Sequence, residues 1–292
     1  MTDSLPVILK DRKISLGFLI VAGILLYLVL VLYVASALWP IGDWNYHLRG
    51  AMSEAAINGN LHKYDFPYFN YPPWILPILA PLTVIPNPWG TALMLWVGLV
   101  VIGAVTLKLG KKVWKIGLVM LSPPFLMMMF YGGFDWLPLA GLLLPPMWGF
   151  LLLSVKPQVA ISASLTWFQQ APNWRERFKI VLPTLVVAAI ALVVWPGWPT
   201  WMLSNSSLTS AWFNFSVFPW GLIPAAALTV YAWRKKSQAA ALAIVPLCSP
   251  YMSANAWVGF FVAMAAEFPW LCLVLDIAVW AWAVLHYGLR VL

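Results

Sequence analysis

The stretch Gly42–Trp74, GDWNYHLRGAMSEAAINGNLHKYDFPYFNYPPW, is the longest polar segment in an otherwise apolar chain. Asp43 as an N-cap and Gly59 as a stop predict a helix from Trp44 to about Asn58. At about 100° per residue, Asp43, His47 and Glu54 fall within roughly 40° of one another. Trp44, Leu48, Ala51, Met52 and Ala55 form a separate apolar arc. Two carboxylates and an imidazole on one arc are groups that take or give a proton near neutral pH. The plainer alternatives are a helix cap for Asp43 and a solvated face for His47 and Glu54. The residues that follow, Tyr64, Phe66, Pro67, Tyr68, Phe69, Tyr71, Pro72 and Pro73, combine aromatic and turn chemistry suited to holding a shape, as site-forming loops do.

The elements that must position this loop are set by composition. The chain has 292 residues, 63% of them hydrophobic and 9% charged, with a mean hydropathy of +0.85. A soluble domain is about 25% charged, so there are too few charges here to cover a water-exposed surface. The apolar runs are long and do not alternate, which predicts an all-α, polytopic helical membrane protein rather than a barrel. The net charge of +8 does not point to nucleic acid. Its cations fall in short clusters between apolar runs: Lys10, Arg12 and Lys13; Lys108, Lys111, Lys112 and Lys115; Arg175, Arg177 and Lys179; Arg234, Lys235 and Lys236. That distribution is the positive-inside pattern.

A hydrocarbon core of about 30 Å needs roughly 20 apolar residues per helix. Ile14–Trp39 meets this. It reads as a retained first span with a cytoplasmic N-terminus, which puts 40–73 on the external face as an amphipathic surface element. Pro88–Leu107, Ile116–Tyr131, Trp136–Val155, Ile180–Trp195, Val217–Trp233 and Trp270–Leu289 are further spans. Val159–Phe168, Ala239–Leu247 and Ala254–Ala266 are shorter pieces. The total is about 8 to 10 membrane segments, some short or re-entrant, in one domain covering 1–292. Pro72–Pro86 leaves two topologies open. Either it is interfacial or re-entrant and Lys108–Lys115 is cytoplasmic, or it crosses and that cluster lies outside. Pro123-Pro124, Pro145-Pro146, Pro196 and Pro199 kink or end helices. Trp39, Trp74, Trp89, Trp136, Trp195, Trp233 and Trp270 stand at predicted span ends, as in an aromatic belt.

Three charges stand alone in apolar surroundings. Lys156 binds phosphate if it reaches the external face or a cavity, and is a further positive-inside lysine if it lies at the cytoplasmic end. Asp135 is read as cavity-facing, and Asp276 as a packing partner in the last span. Cys248 and Cys272 read as buried small hydrophobes, with no CxxC to suggest a metal or redox pair.

The order of several short motifs gives the chain a family likeness. Asp43 and Tyr46 follow the first span. The turn Gly59-Asn60 and the element Asn70-Tyr71-Pro72-Pro73 come next, and then an apolar stretch from Pro81-Leu82 to Ile85-Pro86. Lys156-Pro157-Gln158 follows a long apolar helix, and Ser249-Pro250-Tyr251 lies near the end. In this the chain resembles the GT-C superfamily of integral membrane glycosyltransferases, and within it the bacterial polyprenyl-phosphate-mannose-dependent mannosyltransferase-like family. The likeness runs from Gly42 to about Trp257. The chain departs from it at Gly132-Gly133-Phe134-Asp135, where the family usually carries Gly-Gln-x-Asn.

The resemblance implies transfer of a sugar, most simply mannose, from a polyprenyl-phosphate donor to a lipid-linked or glycan acceptor. The site would lie on the external face of a bacterial or archaeal plasma membrane. Asp43 is then the general base that takes the acceptor hydroxyl's proton. His47 and Glu54 bind acceptor hydroxyls or position Asp43. Arg49, His62, Lys63 and Lys156 are candidates to meet the donor phosphate. Tyr71, with Tyr64 and Tyr68, can stack on sugar rings, and Tyr46 and Gln158 belong to the site as members of the motifs. No cofactor is implied, although a divalent cation is left open. The partners are the donor, the acceptor and membrane lipids, with no nucleic acid. The alternatives are a non-catalytic lipid-binding or accessory subunit, and a transporter or flippase.

Overall fold

The computed structural model describes residue 23, residues 25–37, Trp44, and residues 71–200 and 214–287. Among them there are helices and turns and no strand. The helices are α1 (Leu25–Ala37), α2 (Ile75–Thr83), α3 (Trp89–Gly110), α4 (Trp114–Met120), α5 (Pro123–Phe130), α6 (Trp136–Ala140) and α7 (Pro146–Leu153). They continue as α8 (Pro157–Ala160), α9 (Leu165–Gln170), α10 (Trp174–Val194), α11 (Leu222–Lys235), α12 (Gln238–Leu242), α13 (Ile244–Cys248), α14 (Val258–Glu267) and α15 (Pro269–Tyr287).

Local chemistry sets several boundaries. Ser122 caps α5, accepting from the Phe125 N–H, and Pro123 opens the helix, where its missing N–H costs nothing. Asn173 caps α10 by accepting from the Glu176 N–H at 3.0 Å. Ser237 caps α12 in the same way, accepting from Ala240.

Two helices, α3 and α10, are long and apolar enough to cross a membrane. Only 17% of the apolar window of α10 is buried, so it is not the sheltered core helix of a soluble protein. Leu185, Ile190 and Val193 on α10, Ile223 and Val230 on α11, and Val274, Ile277 and Leu285 on α15 all face outward.

Contacts at helix ends bring the basic clusters of residues 108–115, 175–179 and 234–236 to one end of the bundle. Lys115 Nζ donates to the Ala266 carbonyl at 2.6 Å. Tyr231 and Ser237 donate to the two carboxylate oxygens of Glu267. Gln169 donates to the Trp233 carbonyl, and α10 with its basic first turns starts at Trp174 shortly after. Helix α2 has nine residues, about 13 Å at 1.5 Å per residue, and is too short to cross. A single long helix, α3, therefore separates Tyr71 from Lys108. The three basic clusters share one end of the bundle, and the helix within Pro72–Pro86 is short.

Two expected spans are broken. Residues 116–131 divide at Ser122 into α4 and α5. Trp136–Val155 is not one rod but a helical hairpin. Its first arm is α6 with the 3-10 turn Gly141–Leu143, and α7 returns beside it after Leu144-Pro145. A proline pair ends the first arm because it supplies no N–H to continue it. Small residues let the arms close: a Cβ on Gly141 would lie 2.5 Å from the Gly149 carbonyl oxygen. Trp74 and Trp136, expected in an aromatic belt, are instead buried in the core. Trp233 and Trp270 are exposed, and Trp270 pairs with Trp114.

Candidate functional site

The reversal at Leu144-Pro145 returns Lys156 to the level of Asp135. Asp135 Oδ1 and Lys156 Nζ are 2.5 Å apart, with both side chains buried. Asn255 Nδ2 donates to the other carboxylate oxygen at 2.6 Å. The Lys156 ammonium also stands 5.7 Å from the centre of the Tyr71 ring, within cation–π range. Tyr71 in turn packs on Phe134, ring centres 4.5 Å apart.

Each group is delivered by a short irregular segment. Asp135 follows a turn in which Gly132 has φ 58°, a conformation glycine adopts without a Cβ penalty. Gly133 lies against the polar pair: a Cβ there would sit 2.8 Å from Asn255 Nδ2 and 2.9 Å from Asp135 Oδ2. Lys156 is the residue before the Pro157 that opens α8. Asn255 lies in the 3-10 turn Ala254–Trp257 at the head of α14.

The segment leading to Asn255 is braced by residues 214–216. Asn214 donates to the Pro250 carbonyl at 3.0 Å and accepts from the Met252 N–H at 3.0 Å. Ser216 donates to the Ser249 carbonyl. Asn255 is twelve residues from Glu267, about 18 Å along a helix. The cluster therefore lies well away from the basic end. Trp136, next to Asp135, packs on Gly98 near the middle of α3.

Of the residues singled out in the sequence, Tyr71 and Lys156 are brought together, with Asp135 between the Lys156 and Asn255 side chains. Gln158 is half-buried on α8 and stands outside the contacts that hold the pair. Asp43, Tyr46, His47, Arg49, Glu54, His62 and Lys63 lie outside the described residues. Trp44, on the apolar arc beside Asp43, is fully buried in the core. Asn255 was not anticipated. Its only signal in the sequence is an amide in an apolar run shortly after Ser249-Pro250-Tyr251.

Asp276 is separate from this cluster. It is buried on α15, with Cys272 Sγ 3.8 Å from Oδ2.

Chemically, the described residues of the cluster form a buried ion pair with an amide on one side and an aromatic face on the other. Removing one partner of such a pair strands a charge in a low-dielectric interior and costs about 3–5 kcal/mol. No protein-family model, curated protein or solved structure matches the chain.

Proposed function

We propose that the chain is a polytopic membrane glycosyltransferase of the GT-C type. It moves a sugar, most simply mannose, from a polyprenyl phosphate to a lipid-linked or glycan acceptor at the external face of the plasma membrane. The observation that carries this reading is the meeting of the resembling motifs at one buried polar cluster. Lys156 of the Lys-Pro element and Asn255 beyond the Ser-Pro element both contact Asp135, and Tyr71 of the Tyr-Pro-Pro element stands against Lys156. The outward apolar faces of α10, α11 and α15 support a lipid environment. With the basic end cytoplasmic, the cluster lies away from the cytoplasmic end of the bundle.

In this reading Asp43 takes the proton of the attacking acceptor hydroxyl. The lipid phosphate leaves as an anion, met by Lys156 with Arg49 or Lys63. The test is transfer of radiolabelled sugar from a polyprenyl phosphate in membranes carrying the wild-type chain or Asp43→Asn. Activity absent from the wild type, or undiminished in the variant, overturns it.

One observation favours the second reading, a non-catalytic lipid-binding or accessory subunit. The charge of Lys156 is already countered by Asp135. A wild type that binds a polyprenyl phosphate without transferring sugar would establish that reading instead.

A further inference from the structure

We propose that the basic end of the bundle is a docking surface for anionic phospholipid headgroups, seated on the turn between α14 and α15 and flanked by Lys111 and Lys236. The inference rests on the reading of the chain as membrane-spanning and not on the sugar transfer. It gives a role to residues that the proposed reaction does not use.

Two helices end at this surface in the same unusual way. Lys111 closes α3 with φ 59° and Lys236 closes α11 with φ 52°, and their N–H groups bond back to the Leu107 and Ala232 carbonyls. Among the described residues these two alone, glycine apart, have positive φ. Helices commonly end on glycine at this left-handed position, because any Cβ there is crowded. The helix dipole favours a cation at a C-terminus, but Lys108, Arg234 and Lys235 already supply one in the last turns. Both helices thus hold a lysine where the backbone favours glycine.

The two lysines flank one turn. Gly110, beside Lys111, lies against Ala266: a Cβ on it would be 3.4 Å from Ala266 Cα. Ser237, beside Lys236, donates to Glu267 at 2.7 Å. Lys111, Lys112, Lys235 and Lys236 are all exposed. Glu267 is taken up by Tyr231 and Ser237, and Glu176 by Lys179. Among the described residues no carboxylate stands within ion-pair distance of these four lysines. The surface carries concentrated positive charge, and its complement is an anion.

The neighbouring aromatics make that anion a lipid rather than an acidic protein. Trp270, at the start of α15, is 75% exposed, and its ring stands 6.4 Å from that of the exposed Trp114. Trp233, also exposed, directly precedes Arg234. Exposed indoles at the end of a spanning bundle settle at headgroup depth. They set the lysines at the level of the lipid phosphates, with acyl chains along the outward apolar face of α15. Cations at that depth attract anionic lipid.

The experiment uses the purified full chain in neutral detergent, titrated with phosphatidylglycerol, with phosphatidylcholine and with glycerol phosphate, which is the anionic group without its chains. Thermal unfolding reads stability and binding together. Phosphatidylglycerol should raise the wild-type midpoint well above the rise with phosphatidylcholine, and glycerol phosphate should leave it unchanged. The double variant Lys111→Gly, Lys236→Gly relieves the backbone while removing the charges. It should unfold without added lipid at the wild-type temperature or higher. It should bind phosphatidylglycerol about fivefold more weakly for each lysine removed. Lysines that only close helices would show the first effect without the second, and unchanged affinity in the folded variant overturns the proposal. Equal stabilisation by phosphatidylcholine overturns it by denying the charge, and equal stabilisation by glycerol phosphate by denying the lipid. The pair Arg175→Gln, Arg177→Gln removes the same charge from the same end but away from this turn, and should weaken binding less. An equal loss overturns the seat on the α14–α15 turn. Selective phosphatidylglycerol binding by a chain that transfers no sugar would keep this surface and remove the glycosyltransferase. Sugar transfer with no preference for phosphatidylglycerol would do the reverse.

Discussion

Gly141 and Gly149 face each other across the α6–α7 hairpin, so closely that a Cβ on Gly141 would lie 2.5 Å from the carbonyl oxygen of Gly149. This approach lets the two antiparallel arms pack closely, and it helps return Lys156 to Asp135. A Cβ on Gly149 would also meet the Trp167 ring at 2.6 Å. Gly149→Val should therefore push the arms apart and destabilise the protein by about 1–3 kcal/mol, the usual cost of overpacking. Gly117, whose added Cβ meets nothing within 4 Å, is the control: Gly117→Ala should be neutral or slightly stabilising. Thermal unfolding in detergent compares the two, and equal effects would show that the hairpin contact does not matter.

Asn255 supports Asp135 through one charge-assisted hydrogen bond. Asn255→Leu should cost about 1.5–3 kcal/mol, the worth of a hydrogen bond to a charged group. Asn255→Asp should cost more, because it sets a second carboxylate against the first with one lysine to serve both. The ordering of the two variants in unfolding midpoint is the measurement. A harmless Asn255→Asp would mean that Asp135 is not held as a carboxylate.

The ion pair shows how far the sequence could be read. Lys156 and Asp135 are visible because a lone charge in an apolar run is costly and therefore conspicuous. Their pairing is not visible, because it depends on the chain reversing between them. Hydropathy sums over Trp136–Val155 and sees one span, although the breaks are written in Pro145-Pro146 and in the spacing of Gly141 and Gly149. Asn255 is harder still. An amide carries no charge to flag it, and its partner lies 120 residues away. The exposure of Trp233 and Trp270 follows from their place at span ends. Trp74 and Trp136 occupy similar places in sequence but fill the core, since a belt and a core both favour a large apolar ring.

The shared end of the basic clusters makes a labelling prediction. In a background with Cys248 and Cys272 replaced by Ala, Ser53→Cys should react with a membrane-impermeant maleimide on intact cells. Lys112→Cys and Ser237→Cys should react only after the membrane is opened. Helix α3 separates Tyr71 from Lys108, so positions 53 and 112 must label from opposite sides. Positions 112 and 237 must label together, because Lys115 reaches Ala266 while Ser237 reaches the adjacent Glu267. Labelling of 112 with 53 would break this topology even if 237 behaved as expected.

Asp43 is where cap and chemistry can be separated most sharply. Asn and Asp are near-equal N-caps, so if Asp43 is the cap the sequence predicts, Asp43→Asn keeps the helix start whereas Asp43→Ala removes the cap at about 1 kcal/mol. Only the carboxylate can accept a proton at neutral pH. If Asp43 is the general base, Asn should leave folding and undecaprenyl-phosphate binding near wild type while turnover falls by about 10²–10⁴-fold. Ala should then show the same loss of turnover with a small loss of stability added. If Asp43 is a cap alone, Asn should be silent and Ala should act on stability only. Turnover from a radiolabelled polyprenyl-phosphate sugar, read beside unfolding midpoints for both variants, distinguishes these patterns. Full activity in Asp43→Asn would move the base to Glu54, the other carboxylate on the polar arc, where Glu54→Gln repeats the test.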